Sequence, residues 1–226
     1  MGSCGALETF GRIEPRHDIV FEVVDQTNMM EAAALVARVF ARDEPLVRFL
    51  GITEKEMLAF TAQYYPKIAA EGLSLIARDV ATQAVIGARI CEDSAIPPAD
   101  ALLSDLSPKF DPLFACLEQL SDPYFQHYRP EPGECAHMFM VAVADDYTNM
   151  GIAPRMNRLF FDLARERGYR RLITEPTGNI SQHILRDKMG FDVLVKLPYR
   201  DFEFNGEKVF AGIEGHEYAM LMAREL

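Results

Sequence analysis

Tyr147-Thr148-Asn149-Met150-Gly151-Ile152-Ala153 stands between a largely apolar run at residues 136–144 and an amphipathic stretch at residues 152–167 that closes on Gly168. The period changes across this turn from that of a strand to that of a helix. Gly151 and the small Ala153 let the backbone of the turn come close to a ligand. A helix N-terminus carries free N–H groups and partial positive charge, so it holds a phosphate without a basic side chain. The same glycine also serves an ordinary loop-to-helix connection, and the turn alone does not separate the two readings.

Working outward, residues 171–175 read as a strand, residues 180–189 as a short helix closed by Gly190, and residues 193–197 and 218–222 as two further strands. Asn205-Gly206 marks a tight turn between shorter extended pieces. Toward the N-terminus, residues 19–24 form a first strand, followed by a helix over residues 29–40 that stops near Asp43-Glu44-Pro45. Thr53 and Glu56 form a capping box opening a second helix, which runs to about Glu71 and closes on Gly72. Pro66 is expected to kink or split that helix. Residues 73–78 and 84–91 predict an antiparallel hairpin.

Residues 92–133 differ in texture, with seven of the chain's thirteen prolines and a helical patch near residues 112–126. They read as an insertion between strands, too long for an ordinary connection. Residues 1–17 carry no period and read as a flexible lead-in, which leaves residues 18–226 as a single domain. The expected fold is α/β, a central mixed sheet of six or seven strands flanked by helices, because hairpins and a β-α-β unit occur together.

Composition narrows the function. A net charge of −11 argues against nucleic acid, which calls for a basic stripe, and suits a cationic substrate. Cys4, Cys91, Cys116 and Cys135 fall at no metal-ligand spacing, so a reduced, cytoplasmic protein without zinc or other metal is expected. No apolar run reaches the length of about 20 residues that spans a bilayer, and no signal peptide is apparent. Gly2 to Ala6 touch the myristoylation pattern but carry Ala6 where Ser or Thr is required.

From Val141 to Phe191 the chain resembles the acyl-CoA-binding half of the GCN5-related N-acetyltransferases (GNAT). Gly151, Ile152 and Ala153 match that family's Arg/Gln-x-x-Gly-x-Gly/Ala motif, and Asn179, Lys188, Gly190 and Phe191 match its downstream Asn and Gly-Phe segment. The resemblance implies a GNAT fold, acetyl-CoA as co-substrate, and a strand splayed from its neighbour ahead of the turn. It assigns the donor site to Val141, Ala142, Val143, Thr148, Asn149, Met150, Gly151, Ile152, Ala153 and Asn179, with the Val143 N–H as oxyanion donor. Two positions depart from the family. Thr148 stands where Arg or Gln is usual, and Arg186 stands where many members have the Tyr that protonates the leaving thiolate.

Amine acetylation also needs a base, because an alkylamine with a pKa of about 10 has no free lone pair near neutrality. Phe40-Ala41-Arg42-Asp43-Glu44-Pro45-Leu46 resembles the Asp-Glu-Pro-Leu segment of the insect arylalkylamine N-acetyltransferases, the dopamine-type subgroup. There the Glu is the catalytic base, which nominates Glu44. His216, ahead of the last strand, resembles that subgroup's active-site His. Ser181 stands off register from the subgroup's serines, whose positions here are Gly178 and Gln182.

Each of these has a structural alternative: Glu44 with Asp43 as a solvated helix end, His216 as a satisfied polar residue. The resemblance implies an amine N-acetyltransferase acting by direct attack in a ternary complex on a small arylalkylamine, as a monomer or homodimer. A polyamine or protein N-acetyltransferase and a CoA-binding sensor with little turnover are the alternatives.

Overall fold

The computed structural model describes residues 18–96 and 105–226. The expected lead-in, Cys4, the myristoylation-like tail and residues 97–104 of the Pro-rich stretch lie outside the described residues. The chain order is β1 (Ile19–Val23), α1 (Met29–Asp43), α2 (Pro45–Phe49), α3 (Glu54–Glu71), β2 (Leu75–Asp79), β3 (Val85–Asp93), α4 (Asp111–Phe125), β4 (Cys135–Val143), α5 (Ile152–Glu166), β5 (Arg171–Thr174), α6 (Asn179–His183), β6 (Asp192–Pro198) and β7 (Tyr218–Glu225). The strands form one seven-stranded sheet in the order β1-β2-β3-β4-β5-β7-β6. All neighbours are antiparallel except β4 and β5, which are parallel and joined through α5. This is the mixed sheet expected from the alternation of hairpins with a β-α-β unit.

Helices cover both faces. On one face α1 buries Ala32, Ala33, Leu35, Val36, Ala37 and Val39 against α3 and the sheet, in a core that also takes Ile76, Ala88, Ile90, Met140 and Ala142. On the other face α5 buries Met156, Phe160, Phe161 and Ala164. Fully burying a Leu, Ile, Val or Phe side chain contributes about 1.5–3 kcal/mol. Gly87 sets how closely α5 approaches. A Cβ there would lie 2.8 Å from Ile152 Cγ2 and 3.1 Å from Met156 Cε, so only glycine lets the first turn of α5 rest directly on β3.

Several of the expected chain ends are present. Thr53 and Glu56 make both bonds of the capping box, and Gly72 closes α3 in the left-handed region. Asn205 and Gly206, both with positive φ, reverse the chain between Phe204 and Glu207. Pro66 does not split α3, which runs unbroken from Glu54 to Glu71. It lies on the exposed side, where the carbonyl that loses its donor can turn to water, while Tyr64, Tyr65 and Ile68 hold the opposite side in the core. The helix expected at residues 180–189 is α6 followed by one wide π turn, Ile184–Lys188, which sends Leu185 into the core and leaves Arg186, Asp187 and Lys188 outside. No helix among the described residues is long and apolar enough to cross a membrane.

Candidate active site

The central gap in the sheet comes from unequal strand lengths. β4 pairs with β5 only through Cys135↔Arg171, Ala136↔Leu172 and His137↔Ile173, and then runs on to Val143 after β5 ends at Thr174. The Thr174 hydroxyl donates to Met138 O at 2.8 Å, which makes the last link between the two strands. On its other side β4 carries a bulge: Ile90 faces Met140 and Cys91 faces Met138, so Phe139 is the extra residue. Beyond the bulge the side-chain alternation is reset, with Met140 and Ala142 facing α1 and Val141 and Val143 facing α5.

The backbone alternates in the same way. Ala144 N–H donates to Ile86 O on β3 at 2.8 Å. In an antiparallel ladder successive residues point their N–H groups to opposite sides. The N–H groups of Val141 and Val143 therefore turn away from β3, into the gap that β5 leaves open.

After Val143 the chain makes a 3₁₀ turn over Asp145–Tyr147 and enters α5 through Gly151, which is in the left-handed region with φ 71°. Asn149 also has positive φ, at 65°. Thr148 turns its hydroxyl back onto Asp145 O at 2.8 Å, so it caps the turn rather than presenting a free donor. Tyr147 anchors the turn to β2 through a 2.8 Å bond to Asp79. Arg42, at the end of α1, pairs with Asp145 and so ties the turn to the Asp43-Glu44 loop. The open N–H groups at the head of α5 suit a pyrophosphate, and the adjoining gap suits the extended arm attached to it in CoA.

Glu44 sits where α1 passes into α2. Its side chain is the N-cap of α2: one carboxylate oxygen accepts from Val47 N–H at 2.6 Å, and the other accepts from the Thr177 hydroxyl at 2.5 Å. The residue is partly exposed as a whole, but protein surrounds its carboxyl. Burial raises the pKa of Glu44 above the usual carboxylate range, opposed by the bonds from Thr177 and from the Val47 and Leu46 N–H groups.

The segment carrying Thr177 is held in turn by Tyr199, whose buried hydroxyl donates to Thr177 O at 2.7 Å. Gly178 lies between Pro45 and His216. His216 Nδ1 accepts from Asn179 N–H at 3.2 Å, and the Asn179 amide donates to Gly215 O. Ser181 donates to Gly178 O at 2.8 Å.

A cavity of about 420 Å³ joins these parts. On the α1 face its wall is Glu44, Asp43, Phe40, Phe60, Phe110, Leu113, Phe114 and Phe139. On the α5 face the wall is Val141, Ala153, Pro154, Asn157 and Arg89, and the rim takes Thr177, Ser181 and His216. The cavity therefore passes through the sheet at the gap between β4 and β5. It brings Glu44, His216 and Ser181 together with Val141 and Ala153. Ala142 packs into the α1-side core instead, and Asn179 lines a separate surface hollow with His183 and Arg186. Arg186 is exposed and bonded to Asp187, so it takes no part in the cavity.

Sequence reading missed a buried charge cluster beside the gap. His137 Nδ1 bonds Glu92 at 3.0 Å and its Nε2 bonds Glu175 at 2.6 Å; Lys67 and the Tyr64 hydroxyl meet the other oxygen of Glu92 at 2.6 and 2.7 Å. Burial opposes charge on His137, but the two carboxylates outweigh it and push its pKa up to about 10. Burial likewise opposes charge on Glu92, yet His137 and Lys67 hold its pKa down at about 2. Glu175 also lines the cavity. The only sequence signal was polar residues inside apolar strands, and the cluster appears only once the register sets Glu92 opposite His137.

Residues 114–191 match the family model described as the acetyltransferase (GNAT) family. Over those residues, about a third of the chain, it is similar to that family. Its seven-stranded mixed sheet with flanking helices is the GNAT fold. Among solved structures it is similar to the C-terminal condensation domain of Ebony in complex with beta-alanyl-dopamine, at TM-score 0.83 and 18% identity over 93% of this chain and 100% of that one. Arylalkylamine N-acetyltransferase 2 from Aedes aegypti aligns at TM-score 0.74 and 18% identity, covering 92% and 99% of the two chains. The Drosophila melanogaster polyamine N-acetyltransferase, an enzyme that catalyses formation of N-acetylagmatine, aligns at TM-score 0.71 and 16% identity, covering 92% and 100%.

Proposed function

We propose that this protein is an acetyltransferase of the GNAT family, which transfers the acetyl group of acetyl-CoA to the nitrogen of a small arylalkylamine by direct attack in a ternary complex. The observation that carries this reading is the through-sheet cavity, with Glu44 on one face and the head of α5 on the other. The donor lies along Val141 and Val143, with its pyrophosphate on Gly151, Ile152 and Ala153. Glu44 takes the amine's proton, directly or through water, and its raised pKa suits it to that task near neutral pH. The N–H groups of Val141 and Val143 meet the carbonyl oxygen as negative charge develops there. His216 and Ser181 border the acceptor's path.

The acceptor end favours an aromatic amine, since Phe40, Phe60, Phe110, Phe114 and Phe139 supply most of its wall. A ring of this kind receives an arylalkyl group, and Glu44 with Asp43 receives the ammonium. α4 supplies Leu113, Phe114 and Leu117 over the cavity, which favours a small acceptor over a protein chain. A polyamine acceptor has one feature in its support: Glu175 adds a third carboxylate to the wall, beside Asp43 and Glu44.

Thiol release from acetyl-CoA with a panel of arylalkylamines, polyamines and amino acids tests the reading. Arylalkylamines are expected to turn over with the highest kcat/KM. Faster turnover of polyamines would move the substrate class. Calorimetric binding of acetyl-CoA without thiol release from any amine would leave a CoA-binding module instead.

A further inference from the structure

Arg89 lies in the middle of β3, between the buried Ala88 and Ile90, and is itself only 5% exposed. Its Nε donates to Asn157 Oδ1 on α5 at 2.9 Å, and Nη1 approaches Met140 O at 3.5 Å, the limit of a hydrogen bond. Among the described residues no carboxylate stands within ion-pair distance of it. Arg42, Arg78, Arg165, Arg171 and Arg186 each have an Asp or Glu partner. A buried charge without a counter-ion is costly, and its desolvation goes uncompensated until an anion arrives. Arg89 is among the residues that line the cavity Glu44 also lines.

Its position relative to Glu44 gives the charge a use. Arg89 pairs with Val141 across the ladder, and its bond to Asn157 puts its side chain on the α5 face. Glu44 enters from the α1 face. A donor with its pyrophosphate at the head of α5 runs its arm along the α5 face and ends in the gap. The amine then approaches from Glu44's side, and the sulfur departs toward Arg89's side. No tyrosine serves this step from the position of Arg186, which is exposed and paired with Asp187. Asn157 is fixed by a second contact from its amide to Met189 Sδ at 3.3 Å, so the guanidinium is held in place before the donor binds.

We propose, resting on the acetyl-CoA reading above, that Arg89 is a catalytic residue that stabilises the departing CoA thiolate by charge pairing inside the gap. The amine lone pair forms the C–N bond and the amine proton passes to Glu44. The C–S bond breaks with its electron pair left on sulfur, and the guanidinium balances the new negative charge without giving up a proton. Water protonates the thiolate after release. The other titratable groups that face this region are Cys91 on the same strand, and Asp43, Glu44, Glu175 and His216 in the cavity wall. Burial pushes the Cys91 thiol up, which keeps it neutral.

The test is calorimetry of CoA and of desulfo-CoA, which lacks the sulfur, at pH 7.5 in buffers of different ionisation enthalpy. A free thiol with a pKa of about 8.5 is mostly protonated at that pH, so binding as thiolate releases close to one proton per site. The wild-type protein is expected to release that proton with CoA and none with desulfo-CoA. Arg89→Gln should bind desulfo-CoA within about twofold of wild type, lose the proton release with CoA, and lose about 10²- to 10³-fold in kcat. Arg89→Lys, which keeps the charge, should recover part of both. CoA binding without proton release by the wild type overturns the proposal, and so does release that persists in Arg89→Gln. Failure of both ligands to bind the wild type overturns the acetyl-CoA reading itself, whereas desulfo-CoA binding preserves that reading whatever becomes of Arg89. The wild-type measurement decides the matter even if a variant does not fold.

Discussion

The Thr177 hydroxyl donates to the Glu44 carboxylate at 2.5 Å across 133 positions of sequence. This bond joins the loop after α1 to the loop after β5, at the mouth of the gap in the sheet. With Val47 N–H on the other oxygen, it holds the carboxylate in a fixed orientation while protein around it disfavours the charge. Glu44 is therefore both a helix cap and a destabilised anion.

Replacing Glu44 by Gln should separate these two roles. The amide oxygen still accepts from Val47 and the amide N–H₂ can donate to the Thr177 oxygen, so the cap of α2 survives. A carboxylate whose folded pKa is raised loses stability as pH rises, because the unfolded chain gives up its proton first. Glu44→Gln should thus have an unchanged or higher Tm at pH 7.5, while kcat/KM falls by about 10²-fold or more. Paired thermal melts and steady-state kinetics check this, and unchanged kinetics would remove Glu44 from the chemistry.

Thr177→Val removes one donor from the ionised form of Glu44 and leaves the carboxyl in the same surroundings. Loss of a bond that lowers the pKa must raise it further. The ascending limb of kcat/KM against pH should move to higher pH, with near-wild-type rates recovered on its alkaline side. A uniform loss at every pH would mean that Thr177 only positions the loop.

Much of the fold is legible in the sequence because its signals are local. The capping box at Thr53 and Glu56, the turn at Asn205-Gly206 and the entry to α5 at Gly151 each depend on a few adjacent residues. The two halves of the site are legible only as separate motifs. What joins them is a matter of register and strand length: the extra residue Phe139 resets which side chains face α5, and β5 ends at Thr174 while β4 continues. Thr177, Arg89 and the Glu92–His137–Glu175 contacts lie far apart in sequence and have no pattern of their own. That Pro66 does not split α3 was not legible for a related reason, since its cost depends on which side of the helix meets water.

Gly87→Ala tests the seating of α5. The new methyl would have to displace Ile152 at the first turn of the helix that is proposed to hold the pyrophosphate. Overpacking of this kind costs about 1–3 kcal/mol. The variant should melt earlier and bind CoA more weakly, while a change at the exposed, remote Lys208 does neither. Calorimetric affinity equal to wild type in a folded Gly87→Ala protein would show that the head of α5 is not the donor site.

The charge cluster around His137 sets the pH range of stability. A histidine whose folded pKa is raised to about 10 contributes stability that is fully present below its unfolded value of about 6.5 and is lost as pH rises through 10. Glu92, held at about 2, contributes in the opposite sense: its share is present above about 4.3 and is lost as pH falls through 2. Both contributions are complete only between about pH 4.5 and 6.5. His137→Gln keeps a hydrogen-bonding group between the two carboxylates but removes the charge, leaving Glu92 and Glu175 without their shared cation. Breaking a buried ion pair by removing one partner costs about 3–5 kcal/mol. The variant should be destabilised most near pH 6, and the gap to wild type should narrow as pH rises toward 10, where the wild-type imidazolium itself is lost. Denaturant melts of both proteins from pH 5 to 10 check this, and a constant difference across that range would mean that His137 contributes by packing alone.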